Sequence, residues 1–262
     1  MDTLIKRIKK KLTYNGEEYW LTGSDGKALA DGWITSGTID YFLAEYAKNH
    51  KIARLKYKVF DNAFYRMLID NRPKPHVFSI PAFVDAGLQL ADYPRMQTRE
   101  WLSLADQQAV FIPLNQSNHW ILVVFCQVAA EDRTTPDLPD AALFLFDSYQ
   151  EYLTEEALES VAGELRAYIT CVRFFHKHEE RQCTPQNCPL VRMAIPQQTN
   201  KNDCGLYVIQ SARALISRLE IFGAMFKTHR ANLSVLRGFV EDEVSVGDDV
   251  RKDMLDSVLP KH

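Results

Sequence analysis

Three apolar runs constrain this chain more than any other feature. VFIPL at 110 to 114, WILVVFC at 120 to 126 and ALFLFD, ending at Asp147, are dominated by strand-favouring residues. Polar turns or loops separate them, so they predict adjacent central strands. VRMAI at 191 to 195 predicts a further strand.

Helices are expected around this sheet. In IDYFLAEYA the residues Ile39, Phe42, Leu43 and Tyr46 fall at helical spacing, with Thr35 or Ser36 as the N-cap. Tyr57 to Ile69 has a second helical pattern, and Pro73 and Pro75 break the chain after it. Thr154 to Ile169 opens on a threonine cap with acidic residues in the first turn. LYVIQSARALISRLEIF predicts one long helix from Leu206, and DDVRKDMLDSVL a last one over 248–259. Residues 1–32 read as an irregular arm at the edge of the fold, with turn signals at Asn15-Gly16, Gly23-Ser24 and Asp25-Gly26. Residues 33–262 read as a single domain. The pattern is α/β or α+β, without internal repeats.

Charge and cysteine usage narrow the classes. The formal net charge is -3, so the chain is not built to coat nucleic acid. KRIKKK, from Lys6 to Lys11, is expected to be a solvated, partly frayed arm. The longest apolar runs fall short of a membrane span, and no secretory signal is expected. The cysteines, Cys126, Cys171, Cys183, Cys188 and Cys204, are odd in number and scattered. That argues against a disulfide framework and for a reducing compartment.

Abrupt polar residues mark the edges of three elements. His119 stands just before the strand that opens at Trp120. Asp147 ends the ALFLFD run. Cys204 opens a helix in QQTNKNDCGLYVIQ. A thiol, an imidazole and a carboxylate are the ingredients of nucleophilic catalysis. At a helix start, unpaired N–H groups and the positive helix end favour a thiolate. Asp147 would fix the tautomer of His119, and Gly205 would allow close approach of substrate or backbone. Gln198 and the Cys204 N–H are candidate oxyanion donors. Sequence alone does not bring these groups together, and buried cysteines and histidines often serve structure instead. His176, His178, Cys183 and Cys188 are zinc-type ligands close in sequence, but their order and spacing are not those of a zinc knuckle. An exposed charged excursion without metal is expected there.

GWITSGTIDYFL, VFIPLNQSNHWILVVF, LFDSYQ and IPQQTNKNDCGLYVIQ, in that order, resemble the ubiquitin-like-protein proteases. These are the cysteine peptidases of SUMO, NEDD8 and related bacterial effectors. The resemblance implies an α+β, papain-like fold with a central mixed sheet flanked by helices. It implies Cys204 as nucleophile, His119 as base, Asp147 as orienting acid and Gln198 in the oxyanion hole. Trp33 and Trp120 match tryptophans that enclose a modifier's terminal Gly-Gly. No cofactor or metal is implied.

The expected function is cleavage after the Gly-Gly of a ubiquitin-like modifier, SUMO first, by hydrolysis of isopeptide or peptide bonds. The partners are then the modifier and its conjugates, with neither nucleic acid nor a membrane, and the chain acts as a monomer in cytoplasm or nucleus. A bacterial effector would instead be delivered to the host cytoplasm. One departure bears on the modifier: Ile34-Thr35-Ser36 stand where the family usually has Leu-Asn-Asp. Deubiquitinase and deneddylase readings therefore stay open. A related acetyltransferase using acetyl-coenzyme A and an inactive modifier-binding module are the alternatives from other classes.

Overall fold

The computed structural model describes residues 2–51, 57–70, 103–129, 132–133, 135, 137–179 and 181–260. Among them, five strands form one mixed sheet: β3 (Tyr57–Val59), β4 (Ala109–Gln116), β5 (His119–Gln127), β6 (Ala141–Phe146) and β7 (Leu190–Arg192), in that spatial order. The central pairs β4–β5 and β5–β6 are antiparallel, and the outer pairs β3–β4 and β6–β7 are parallel.

The apolar runs are continuous because both faces of the sheet are covered. Along β5, Leu122, Val124 and Cys126 enter one core, while Ile121, Val123 and Phe125 enter the other. The first core holds α3 (Ser36–Asn49) and α6 (Cys204–Ser217). The second holds α5 (Glu155–Lys177), through Leu158, Val161, Leu165, Tyr168 and Val172. α6 is apolar nearly all round and buried over most of its length, so it serves as the central helix of its layer. The expected caps are present: Thr35 Oγ1 accepts the Thr38 N–H, and Thr154 Oγ1 accepts the Ala157 N–H.

Several local expectations need correction. Residues 2–32 are not irregular. They form α1 (Asp2–Ile5), the antiparallel hairpin β1 (Lys9–Tyr14) and β2 (Glu17–Thr22), and α2 (Gly23–Asp31). Asn15 and Gly16 both have positive φ and make the two-residue turn. The basic cluster is therefore partly strand, with Lys9 and Lys11 exposed and Tyr14 buried. The helix expected over 57–69 is strand β3 followed by α4 (Ala63–Asp70). The long helix expected from Leu206 is two, α6 and α7 (Leu219–Thr228), broken at Arg218. The Arg218 guanidinium binds the Phe239 carbonyl and Glu243, and the break lets Phe222 and Phe226 pack edge-on against Phe144. The last helix, α8 (Asp248–Val258), lies where expected. Pro73 and Pro75 fall outside the described residues.

Candidate active site

His119 is placed by a tight turn. Ser117 and Asn118, both at positive φ, connect β4 to β5, with Gln116 paired to His119. Positive φ at both central residues matches the right-handed twist of the flanking strands. His119 is thus the first residue of β5 rather than the residue before it. Asp147 follows the last paired residue of β6, Phe146, whose partner is Leu122. Antiparallel pairing brings both side chains to the same end of the sheet.

The His119 Nε2 atom lies 2.7 Å from Asp147 Oδ1. That same oxygen accepts the Tyr149 N–H at 2.9 Å, so the carboxylate is held by its own turn. Oδ2 is buried without a hydrogen-bond partner among the described residues. The Cys204 side chain lies close enough to the imidazole to favour its charged form, and Nδ1 is the ring nitrogen not taken by Asp147. Burial by itself would push the imidazole down. The hydrogen bond to Asp147 and the nearby Cys204, with the charges on both, outweigh it and raise the pKa to about 9. Among the described residues, Cys204 is the cysteine that meets a histidine.

The other cysteines differ in kind. Burial pushes Cys126 and Cys171 up, Cys171 to about 12. Cys183 and Cys188 contact each other, and Arg173 donates to the Cys183 sulfur at 3.3 Å. Contact with Cys188, against the cost of burial, holds Cys183 below its ordinary value, with the Arg173 charge assisting. These two are buried, so the excursion expected to be exposed is covered at its cysteine end. His176 turns away to Asp106. Among the described residues, no group of three or more His, Cys, Asp or Glu is arranged to hold a metal ion.

Cys204 begins α6 directly after its N-cap residue, Asp203. Gly205 is required there by packing. A Cβ on it would lie 2.6 Å from the Ile34 Cβ, which forces something to move. The close approach seen is to Ile34, next to Trp33. Before α6, residues 196–203 have no regular structure and are held by side-chain contacts. Gln197 donates to the Asp147 carbonyl and accepts the Gln150 N–H. The Gln198 N–H donates to the Ser148 carbonyl, and its side-chain oxygen accepts the Ser148 hydroxyl. Its amide nitrogen is turned to the Asn200 carbonyl, at 2.8 Å.

A cleft of about 260 Å³ reaches His119 and is lined by Trp33, Asn118, Tyr149, Tyr152, Gln198 and Lys201. Trp33 is half exposed at its rim. Trp120 does not line this cleft. It is 8% exposed and borders a second groove with Ser36, Asn62, Tyr65 and Arg66. Ser36, where the family pattern has an acid, thus faces that groove. Tyr149 and Tyr152 pack on the imidazole, with ring centroids 6.2 and 5.2 Å away. Sequence reasoning missed both tyrosines. Their signal was the aromatic pair in DSYQEY, immediately after Asp147.

The mixed sheet with flanking helices is the papain-like topology of a solved protease structure. More narrowly, the chain belongs to the Ulp1 protease family, whose C-terminal catalytic domain matches residues 32–226. It is 24% identical over 237 residues to a probable ubiquitin-like-specific protease 2B of Arabidopsis thaliana, covering 85% of this chain. It is 23% identical over 232 residues to ubiquitin-like-specific protease 2 of Saccharomyces cerevisiae, covering 79% of this chain. The chain spans 24% and 20% of those relatives' own lengths. A crystal structure described as the de-sumoylating protease shares the fold with a TM-score of 0.67 at 18% identity, covering 96% of this chain and 90% of that one. The Xanthomonas campestris effector XopD, in a structure bound to ubiquitin, matches with a TM-score of 0.51 at 15% identity, over 86% and 90% of the two chains.

Proposed function

We propose that the chain is a thiol protease that cuts after the C-terminal Gly-Gly of a ubiquitin-like modifier, with SUMO as the first candidate. One observation carries this reading: a single imidazole hydrogen-bonds Asp147 and is near enough to Cys204 for that side chain to favour its charged form. The relatives described as ubiquitin-like-specific proteases and the de-sumoylating protease fold support the substrate class.

In this mechanism the Cys204 thiolate attacks the terminal glycine carbonyl, forming a C–S bond. The Cys204 N–H and the Gln198 amide, swung away from Asn200, hold the oxyanion. His119 then protonates the leaving lysine amine as the C–N bond breaks, and a thioester remains. Water, deprotonated by His119, releases the modifier and restores the thiol. Trp33, half exposed at the rim of the cleft, closes on the diglycine, and a side chain larger than hydrogen clashes there.

The test is a panel of SUMO, NEDD8 and ubiquitin probes carrying a C-terminal electrophile, with wild type and Cys204→Ala. The expected result is a covalent adduct of wild type, fastest with SUMO, and none with C204A. Each tenfold difference among probes corresponds to about 1.4 kcal/mol of discrimination. Fastest labelling by ubiquitin replaces SUMO with a deubiquitinase reading, consistent with a similarly folded effector bound to ubiquitin. An adduct that survives C204A removes the nucleophile assignment. Tight binding without any adduct marks an inactive module. Labelling by acetyl-coenzyme A in its place marks a transferase.

A further inference from the structure

The family match ends at residue 226, yet a residue of α8 reaches the elements that carry the site. Arg251 is 8% exposed. Its Nε donates to Asp203 Oδ1 at 3.0 Å, and its Nη2 pairs with the same oxygen. The remaining donors go to the C-terminal end of α2. Nη1 reaches the carbonyls of Ala28 and Leu29 at 3.1 and 3.3 Å, and Nη2 that of Gly32 at 3.1 Å. The rigid fork of a guanidinium suits such a junction, and a cation is favoured at the negative end of a helix.

The two anchored points flank the site. Gly32 is the chain neighbour of Trp33, and Asp203 that of Cys204. From Asp203 the contacts continue. Asp203 Oδ2 accepts the Asn200 side-chain N–H at 2.7 Å, and Asn200 Oδ1 accepts the Asn202 and Asp203 backbone N–H groups. The Asn200 carbonyl holds the Gln198 amide. One unbroken path of hydrogen bonds thus joins α8 to the nucleophile's N-cap and to the oxyanion candidate.

We propose that Arg251 is a positioning residue for the reaction. Through Asp203 and Asn200 it sets where Cys204 and Gln198 stand relative to His119 and Trp33. This rests on the reading of Cys204 as nucleophile. A staple that merely fastened α8 to α2 would need only the three carbonyl contacts. The contacts to Asp203 are what reach the site.

The test uses Arg251→Met, Arg251→Lys and Asp203→Asn in the full chain, with Arg218→Met as a control that breaks the Arg218–Glu243 pair away from the site. Two readouts are taken: the rate of labelling by the modifier probes, and the titration midpoint of His119 by NMR in the free protein. R251M and D203N should slow labelling by at least about tenfold with modifier binding within about twofold of wild type, the signature of a kcat rather than a KM effect. R251K should recover only part of the rate, since lysine lacks the fork. In R251M the His119 midpoint should fall toward the ordinary histidine value, because the Cys204 contact that helps to raise it is loosened. R218M should leave both readouts in place.

Labelling rates and the His119 midpoint that match wild type in folded R251M and D203N overturn the proposal. If R251M does not fold, R251K and D203N decide it. If no probe labels wild type, the proposed function fails, and the His119 midpoint still decides whether Arg251 positions Cys204.

Discussion

The two halves of the site are built by different means. The sheet half, His119 and Asp147, is fixed by strand pairing, by the Ser117-Asn118 turn and by cores on both faces. The helix half, Cys204 and Gln198, hangs on one helix start and on a loop held by side chains: Gln197, Gln198, Asn200 and Asp203. Backbone ladders are cooperative, whereas side-chain contacts can be exchanged one at a time. His119 is therefore fixed by the sheet itself, whereas the proposed mechanism requires the Gln198 amide to turn from the Asn200 carbonyl.

Breaking the sheet half should cost most. Asp147→Asn should slow acylation by about 10²- to 10⁴-fold while modifier binding holds, measured by single-turnover labelling. It should also change how stability depends on pH. The folded state binds the His119 proton more tightly than the unfolded chain does, because its pKa is about 9 against an ordinary 6.5. The resulting stabilisation is fully present below about pH 6.5 and is lost as pH rises through about 9. Urea midpoints across that window should fall more steeply in wild type than in D147N. Equal slopes would show that Asp147 does not hold the imidazolium.

Breaking the helix half at its packing should cost less. Gly205→Ala places a Cβ against the Ile34 Cβ, 2.6 Å away. Overpacking of this kind costs about 1–3 kcal/mol, and the displaced start of α6 should lower kcat/KM by about tenfold. Wild-type stability and turnover in G205A would mean that α6 and the Trp33 segment can separate freely. The smallest effect sharpens the comparison from the sheet side. Asn118→Gly relieves an asparagine at φ 66° and should stabilise the hairpin by less than about 1 kcal/mol, read as a small rise in Tm. A fall in Tm would show that the Asn118 side chain supports the turn.

What the sequence made legible follows the same division. The central strands were readable because two covered faces demand unbroken apolar runs. His119 and Asp147, which the structure brings together, and Cys204 stood out because each interrupts a run at its edge. The N-terminal hairpin was missed although Asn15-Gly16 was noticed. One side of it is solvated, so Lys9, Lys11, Glu17 and Glu18 mask the inward Leu12, Tyr14, Tyr19 and Leu21. The break at Arg218 was hidden because both helices carry one apolar pattern, and the kink depends on distant Phe239 and Glu243. The link from Arg251 to Asp203 joins residues far apart in the chain, and no local pattern announces such a pair. The separation of Trp33 and Trp120 into different cavities depends on side-chain placement that a motif does not encode.

The Cys204 side is 2% exposed although a cleft reaches its histidine. A nucleophilic sulfur is also the atom most open to peroxides, and its deeper oxidation states are not reversed by ordinary thiols. On the proposed reading, burial shields the Cys204 sulfur from peroxides in the resting protein, and a bound modifier tail would fill the space through which a peroxide enters.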